Sequence, residues 1–192
     1  MTETEIANYH IKETAIFCLS LTTPRFLNPM NKQSWIEQLS LVAHIEGGYF
    51  AETYRSSEEI VTSRQGQNRA VMTSIYYLLT DDRPIDHLHR NQSDIMHYFH
   101  AGSPITYITV DLGGILQKVK LGLDITQGQV PQLLVPKGYW KAAVLESGEY
   151  GLIGESVAPG FDYRDMTISN ADDIKAQFPH LWDELAPYVR SA

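Results

Sequence analysis

The sequence predicts a single all-β domain, a sandwich or barrel, with short helices at its ends. Three observations carry that expectation. From His44 to Ile168, short runs rich in β-branched and aromatic residues alternate with glycine, proline, aspartate and asparagine. These runs follow one another too closely for helices to connect parallel strands, which argues against a parallel α/β fold. Helical texture is confined to the two ends of the chain.

Residues 1–33 show no clean period and carry Pro24 and Pro29, so they read as an N-terminal extension with a short helix near residues 11–21. Residues 34–192 read as the barrel domain with a C-terminal helical segment. Ser34-Trp35-Ile36-Glu37 has the capping-box pattern and is expected to open a short helix through about Leu41. Strands are expected over residues 48–55, 73–79, 86–90, 95–100, 105–110, 115–121, 132–136, 142–147, 150–157 and 163–168. Asp81-Asp82, Gly113-Gly114, Gly128 and Ser147-Gly148 mark turns between them. Asn170 is expected to cap a helix over 171–177, followed by another turn or two over 179–189. Trp182 and Leu185 are three apart, which suits a helical face laid on the barrel.

A chain of 192 residues is long enough to bury a core without staples. Its net charge of -8 and scattered basic residues exclude a nucleic-acid partner, because phosphate backbones need clustered Lys and Arg. No run approaches the roughly 18 apolar residues of a membrane span. One cysteine, Cys18, permits neither an internal disulfide nor a cysteine zinc cluster. The acidic, polar N-terminus has no apolar stretch of the secretory kind. Together these predict a soluble cytoplasmic protein.

His87-Leu88-His89, followed by an acid and then Gly102, resembles the first motif of the cupins, and Pro136-Lys137-Gly138 resembles the second. Glu46-Gly47-Gly48-Tyr49-Phe50, Leu88-His89-Arg90 with Ser93-Asp94, and Val157–Asp162 look like marks of one cupin family, the domain of unknown function DUF985 (cupin_5). The resemblance covers about Ser34 to Ile168. It implies a double-stranded β-helix, or jelly-roll barrel, related to the RmlC-type sugar-nucleotide epimerases, and a homodimer. It does not imply a reaction, since fold alone never does.

Two imidazoles at i and i+2 in a regular strand share a face, so His87 and His89 are expected to point together into the barrel, where they would chelate a divalent metal. The resemblance implies two more ligands. Its Glu position holds Ile95 and its third His position holds Lys141. His97, two beyond Ile95, offers a replacement, and His87, His89 and His97 would suit Fe, Ni, Cu or Zn. The competing expectation is that His97 is packing. His44 and His100 read as loop or surface histidines.

Without a metal the pocket keeps proton-transfer groups. His89, Lys141 and Glu52 are the candidate catalytic residues, with Asp86 an orienting acid by proximity. Tyr54, Arg55, Trp140, Tyr107 and Glu155 are candidate ligand contacts, Trp140 as a stacking surface at the barrel mouth; Tyr107 also reads as core. Glu52 and Arg55 have an alternative role as a structural ion pair at a dimer interface. These residues point to a small polar ligand, sugar-like, and an isomerase or epimerase. A metal-dependent oxygenase or lyase is one rival; a non-catalytic ligand-binding or sensor module is the other.

Overall fold

The computed structural model describes residues 30–190. The helix expected near residues 11–21 lies outside them. The described chain opens with α1 (Lys32–Gln38), then β1 (Val42–Ala43), β2 (Tyr49–Arg55), β3 (Glu59–Val61), β4 (Asn68–Ala70), β5 (Thr73–Thr80), β6 (Ile85–Asn91) and β7 (Asp94–Gly102). It continues with β8 (Ile105–Val110), β9 (Leu116–Leu121), β10 (Gln132–Val135), β11 (Trp140–Val144), β12 (Tyr150–Ala158) and β13 (Met166–Ile168). α2 (Ala171–Gln177) and α3 (Trp182–Leu185), interleaved with single 3-10 turns, end it.

The strands form two antiparallel sheets in jelly-roll order. One runs β1-β2-β5-β12-β7-β10 and the other β13-β6-β11-β8-β9; β3 and β4 make a separate hairpin. Tyr77, Leu79, Ile105, Tyr107, Leu121, Ala143, Leu145 and Ile153 fill the space between the sheets. Both sheets are also covered outside. Trp35, Ile36 and Leu39 of the α1 segment pack on Leu41, Leu78 and Leu152. Ile174, Phe178 and Leu185 of the C-terminal segment pack on Leu88, Ile108, Val110 and Trp140. That second cover explains why all six residues of β8 are buried: a strand covered on both faces needs no polar alternation.

Several boundaries differ from expectation. The cap of α1 is Asn31, whose side chain accepts from the Ser34 N–H and hydroxyl at 2.8 Å, so Ser34 lies inside the helix rather than at its start. β11 begins at Trp140, earlier than expected, and the run from Tyr163 opens with a 3-10 turn before β13. Asn170 caps α2 as expected, accepting from the Asp173 N–H at 2.8 Å. No helix among the described residues is long and apolar enough to cross a membrane.

Two one-residue bulges matter most. On β6, His89 pairs with Lys141 and Asp86 with Ala143, so three residues of β6 span two of β11. On β2, Glu52 pairs with Ile75 and Tyr54 with Ser74, so two residues of β2 span one of β5. An extra residue shifts the inward face by one position. Asp86 and His89, and likewise Glu52 and Arg55, therefore face inward at a spacing of three.

Candidate active site

One end of the barrel interior is left open as a cavity of about 440 Å³. Its wall is largely apolar and aromatic, with Phe50, Ile75, Tyr77, Ile95, Phe161 and Tyr163, and its floor is ionisable. The floor takes His89 from β6, Lys141 from β11, Glu155 from β12 and Glu46 from the loop before β2.

Glu46 is placed by backbone geometry. Gly47 and Gly48 both have positive φ, +124° and +56°. A Cβ on Gly47 would come within 1.9 Å of the Ile85 carbonyl oxygen, and one on Gly48 within 2.6 Å of that of Leu78. Only glycine lets this loop press against β5 and β6. The Tyr77 hydroxyl donates to the Gly47 carbonyl at 2.8 Å and tightens the same turn. Glu46 Oε2 then lies 3.4 Å from both His89 Nε2 and His44 Nδ1.

At the mouth, Arg55 donates to both oxygens of Glu52, at 3.0 and 2.6 Å. Phe161, Asp162 and Tyr163 reach the cavity on a loop ending at Asp165. Buried Asp165 accepts from Arg69 at 2.8 and 2.7 Å and from Arg64 at 2.9 Å. That network ties the β3–β4 hairpin to the loop.

His89 has a defined tautomer. Its Nδ1–H donates to the His87 carbonyl at 2.7 Å, which turns Nε2 toward Glu46. Asp86 sits between the two candidate proton-transfer groups, 3.6 Å from His89 Nδ1 and 3.7 Å from Lys141 Nζ. The Tyr77 hydroxyl is 3.3 Å from Asp86, but its one proton goes to the closer Gly47 carbonyl. Asp86 thus faces a hydroxyl lone pair, an arrangement that suits its protonated form.

Two carboxylates in one buried space divide their roles. Burial pushes Asp86 up to about 6, outweighing the pull of His89 and Lys141. Burial raises Glu46 too, but His89, His44 and Lys141 overcome it and bring it down to about 2. Burial would lower Lys141, yet Glu155, Asp86 and Glu46 hold it above its ordinary value as an ammonium. Burial, with Lys141 beside it, takes His97 down to about 4. His44 is raised, its carboxylate neighbours, Glu46 first, outweighing burial.

The expected residues separate into two groups. His89, Lys141, Glu52, Arg55 and Glu155 line this cavity. His87 does not join them. The β6 bulge turns it outward, and its Nδ1 lies 3.2 Å from the Tyr188 carbonyl. The β2 bulge likewise turns Tyr54 out, where it is half exposed. Trp140 is not at the mouth: it is buried under the C-terminal segment, donating from Nε1 to Gln177 at 3.2 Å, with Arg90 over its ring. Tyr107 is fully buried core, edge-on to His97. Sequence reasoning missed Glu46 and misplaced His44, whose ring packs edge-on against Phe50 and borders the cavity. The available signal for Glu46 was its position directly before a double glycine.

The trio His87, His89 and His97 does not fit a metal ion. His87 faces away, and both nitrogens of His97 are engaged: Nδ1 with the Leu133 carbonyl at 3.1 Å and Nε2 with the Lys141 ammonium at 3.2 Å. A different set, Glu46, Asp86 and His89, brings one ligand atom each within 4.8 Å of one another.

Two facing sheets in jelly-roll order with an ionisable cavity at one end define a cupin. The chain belongs to the Cupin_5 family, described as Cupin superfamily (DUF985), whose model matches residues 33–169. An uncharacterized protein of Saccharomyces cerevisiae is 36% identical in an alignment of 182 residues that covers 88% of each chain. A hypothetical protein from Leishmania major has a TM-score of 0.78 at 29% identity, over 84% of this chain and 99% of that one. A protein from Shewanella oneidensis, solved by X-ray crystallography, has a TM-score of 0.77 at 33% identity over the same shares. A mutant of Bacillus subtilis oxalate decarboxylase has a TM-score of 0.50 at 16% identity, over 80% of this chain and 38% of that one, a likeness of fold alone.

Proposed function

We propose that this cupin binds a small polar, sugar-like metabolite in the barrel cavity and moves a proton at carbon, as an isomerase or epimerase. One observation carries the reading: His89 and Lys141 reach the same buried floor with Asp86 between them, 3.6 and 3.7 Å away. His89 takes the proton from the carbon next to a carbonyl. The Lys141 ammonium stabilises the negative charge that develops on the carbonyl oxygen. Asp86, raised to about 6, exchanges its proton just below neutrality and orients His89. Glu52 and Arg55 bind polar groups at the mouth, and Phe50, Phe161 and Tyr163 offer faces to a sugar ring. The homodimer and the cytoplasmic location expected from the sequence belong to the same proposal; sedimentation of the purified chain checks the first.

The test is solvent-proton exchange. The protein is incubated in heavy water with a panel of free aldoses and ketoses, their phosphates and nucleotide sugars, and each is followed by proton NMR. Deuterium entering at carbon, lost in His89→Ala, is the expected result. A panel member that binds tightly without exchange supports a sensor instead. A panel with neither binding nor exchange overturns the sugar-like assignment.

The Glu46, Asp86 and His89 set favours one second reading, a metal-dependent oxygenase or lyase. Metal content after purification without chelator or affinity tag separates the two. Substoichiometric metal, with no uptake of added Fe(II), Ni(II) or Zn(II), removes it.

A further inference from the structure

We propose that His97, Glu155 and Asp86 form a cation site that the chain fills with its own Lys141 ammonium. The site converts to a divalent transition-metal site when that ammonium is removed. The inference goes beyond the isomerase reading and stands without it.

Lys141 Nζ is 3.2 Å from His97 Nε2, 3.5 Å from Glu155 Oε1 and 3.7 Å from Asp86 Oδ2. It also lies 5.9 Å from the centre of the Tyr107 ring, on the face that attracts a cation. The donors converge from both sheets, His97 and Glu155 from β7 and β12, and Asp86 from β6 beside Lys141 on β11. All four residues are buried. Because His97 Nδ1 is bonded to the Leu133 carbonyl, its Nε2 lone pair is the atom aimed at the ammonium.

The spacing of the donors is the second argument. His97 Nε2 and Glu155 Oε1 are 3.4 Å apart. Two ligands on one tetrahedral zinc at its usual bond lengths stand about 3.3 Å apart. His97 and Glu155 already stand at metal-ligand spacing; Asp86, 3.7 Å from Nζ, does not lie within 4.8 Å of both of them and has to move inward to become the third ligand. A metal bound at Glu46, Asp86 and His89 would have to share Asp86 with the ammonium and sit beside a like charge. The barrel thus carries its cation as a covalent part of the chain. That cation is singly charged, donates hydrogen bonds and cannot be removed by chelators.

The test is a cobalt(II) titration followed by visible absorption, with folding checked by circular dichroism. Lys141→Ala, which leaves room for an ion and its water, is expected to take up one cobalt per chain about a hundredfold more tightly than the wild type. Lys141→His should also gain a site, Lys141→Arg should not, and adding His97→Ala should remove the gain. Equal cobalt affinity in the wild type and in folded Lys141→Ala overturns the proposal, as does a folded Lys141→Ala without uptake. The unaltered protein supplies an arm that needs no variant. Its Lys141 ammonium should give a slowly exchanging nitrogen-15 signal with a cross-peak to the His97 ring, and absence of that signal refutes the assignment. Exchange failing while cobalt behaves as expected would sink the isomerase reading alone.

Discussion

Asp86→Asn should make the protein more stable relative to wild type as pH rises. Asp86 is 2% exposed, and its fold raises it from 3.8 to about 6. A group raised in the folded state keeps its proton while the unfolded chain has lost it. Stability is therefore present below 3.8 and falls as pH rises toward about 6. The rise corresponds to about 3 kcal/mol. Asparagine keeps the shape and cannot ionise, so the variant lacks this loss. Part of the gain is offset because Lys141 loses one of its carboxylates, although Glu155 remains at 3.5 Å. The diagnostic quantity is therefore the change in the variant-minus-wild-type difference with pH. It should grow by about 2.5 kcal/mol, or about 5–10 °C in melting temperature, between about pH 4 and pH 7.5. Paired urea or thermal melts across that range measure it. A difference that is constant with pH, or shrinks as pH rises, would falsify the account of Asp86. The same variant should lose proton exchange if Asp86 orients His89.

Three further outcomes test the geometry. His89→Ala should abolish exchange while His87→Ala retains it, with a stability change within about 1 kcal/mol, because only His89 faces the cavity; equal losses would refute the β6 bulge. Gly47→Ala should unfold the protein or displace Glu46, since the new Cβ would lie 1.9 Å from the Ile85 carbonyl oxygen; a wild-type melt with unchanged ligand binding would contradict that. Leu185→Ala removes a fully buried side chain from the packing of the C-terminal segment on the second sheet and should cost about 3 kcal/mol in chemical denaturation. A loss near zero would mean that the segment is not docked there in solution.

The long strands were legible because their signal is local. Ile105–Val110 coincides with its expected span, and β5 and β12 depart from theirs by one residue. The short elements β1, β3 and β4 were not, because two or three residues carry no period. Within the site, Glu52, Arg55, His89, Lys141 and Glu155 were legible as polar residues on strands that line a barrel. The misses have three physical sources. His87 is expected inward by strict alternation and Tyr54 by its place after the double glycine, and each lies at an extra residue that the sequence pattern does not announce. Trp140 is expected at the mouth because nothing in its own strand reports that α2, which begins at Ala171, 31 residues later in the chain, covers the outer face. Glu46 and His44 lie outside regular strands, where periodicity gives no direction for a side chain.

The extra residue in β6 has a consequence for insertions and deletions. With it, Asp86 and His89 both face inward, His89 lining the cavity, and His87 faces out. Without it, the unchanged sequence would bring His87 inward and send Asp86 out, replacing a carboxylate–imidazole pair with two imidazoles. Removing His87 itself would instead leave Asp86-Leu88-His89 in plain alternation, with the inward pair intact. The bulge, and not the strand's composition, thus selects which chemical groups meet on the barrel floor while the surrounding sheets stay as they are.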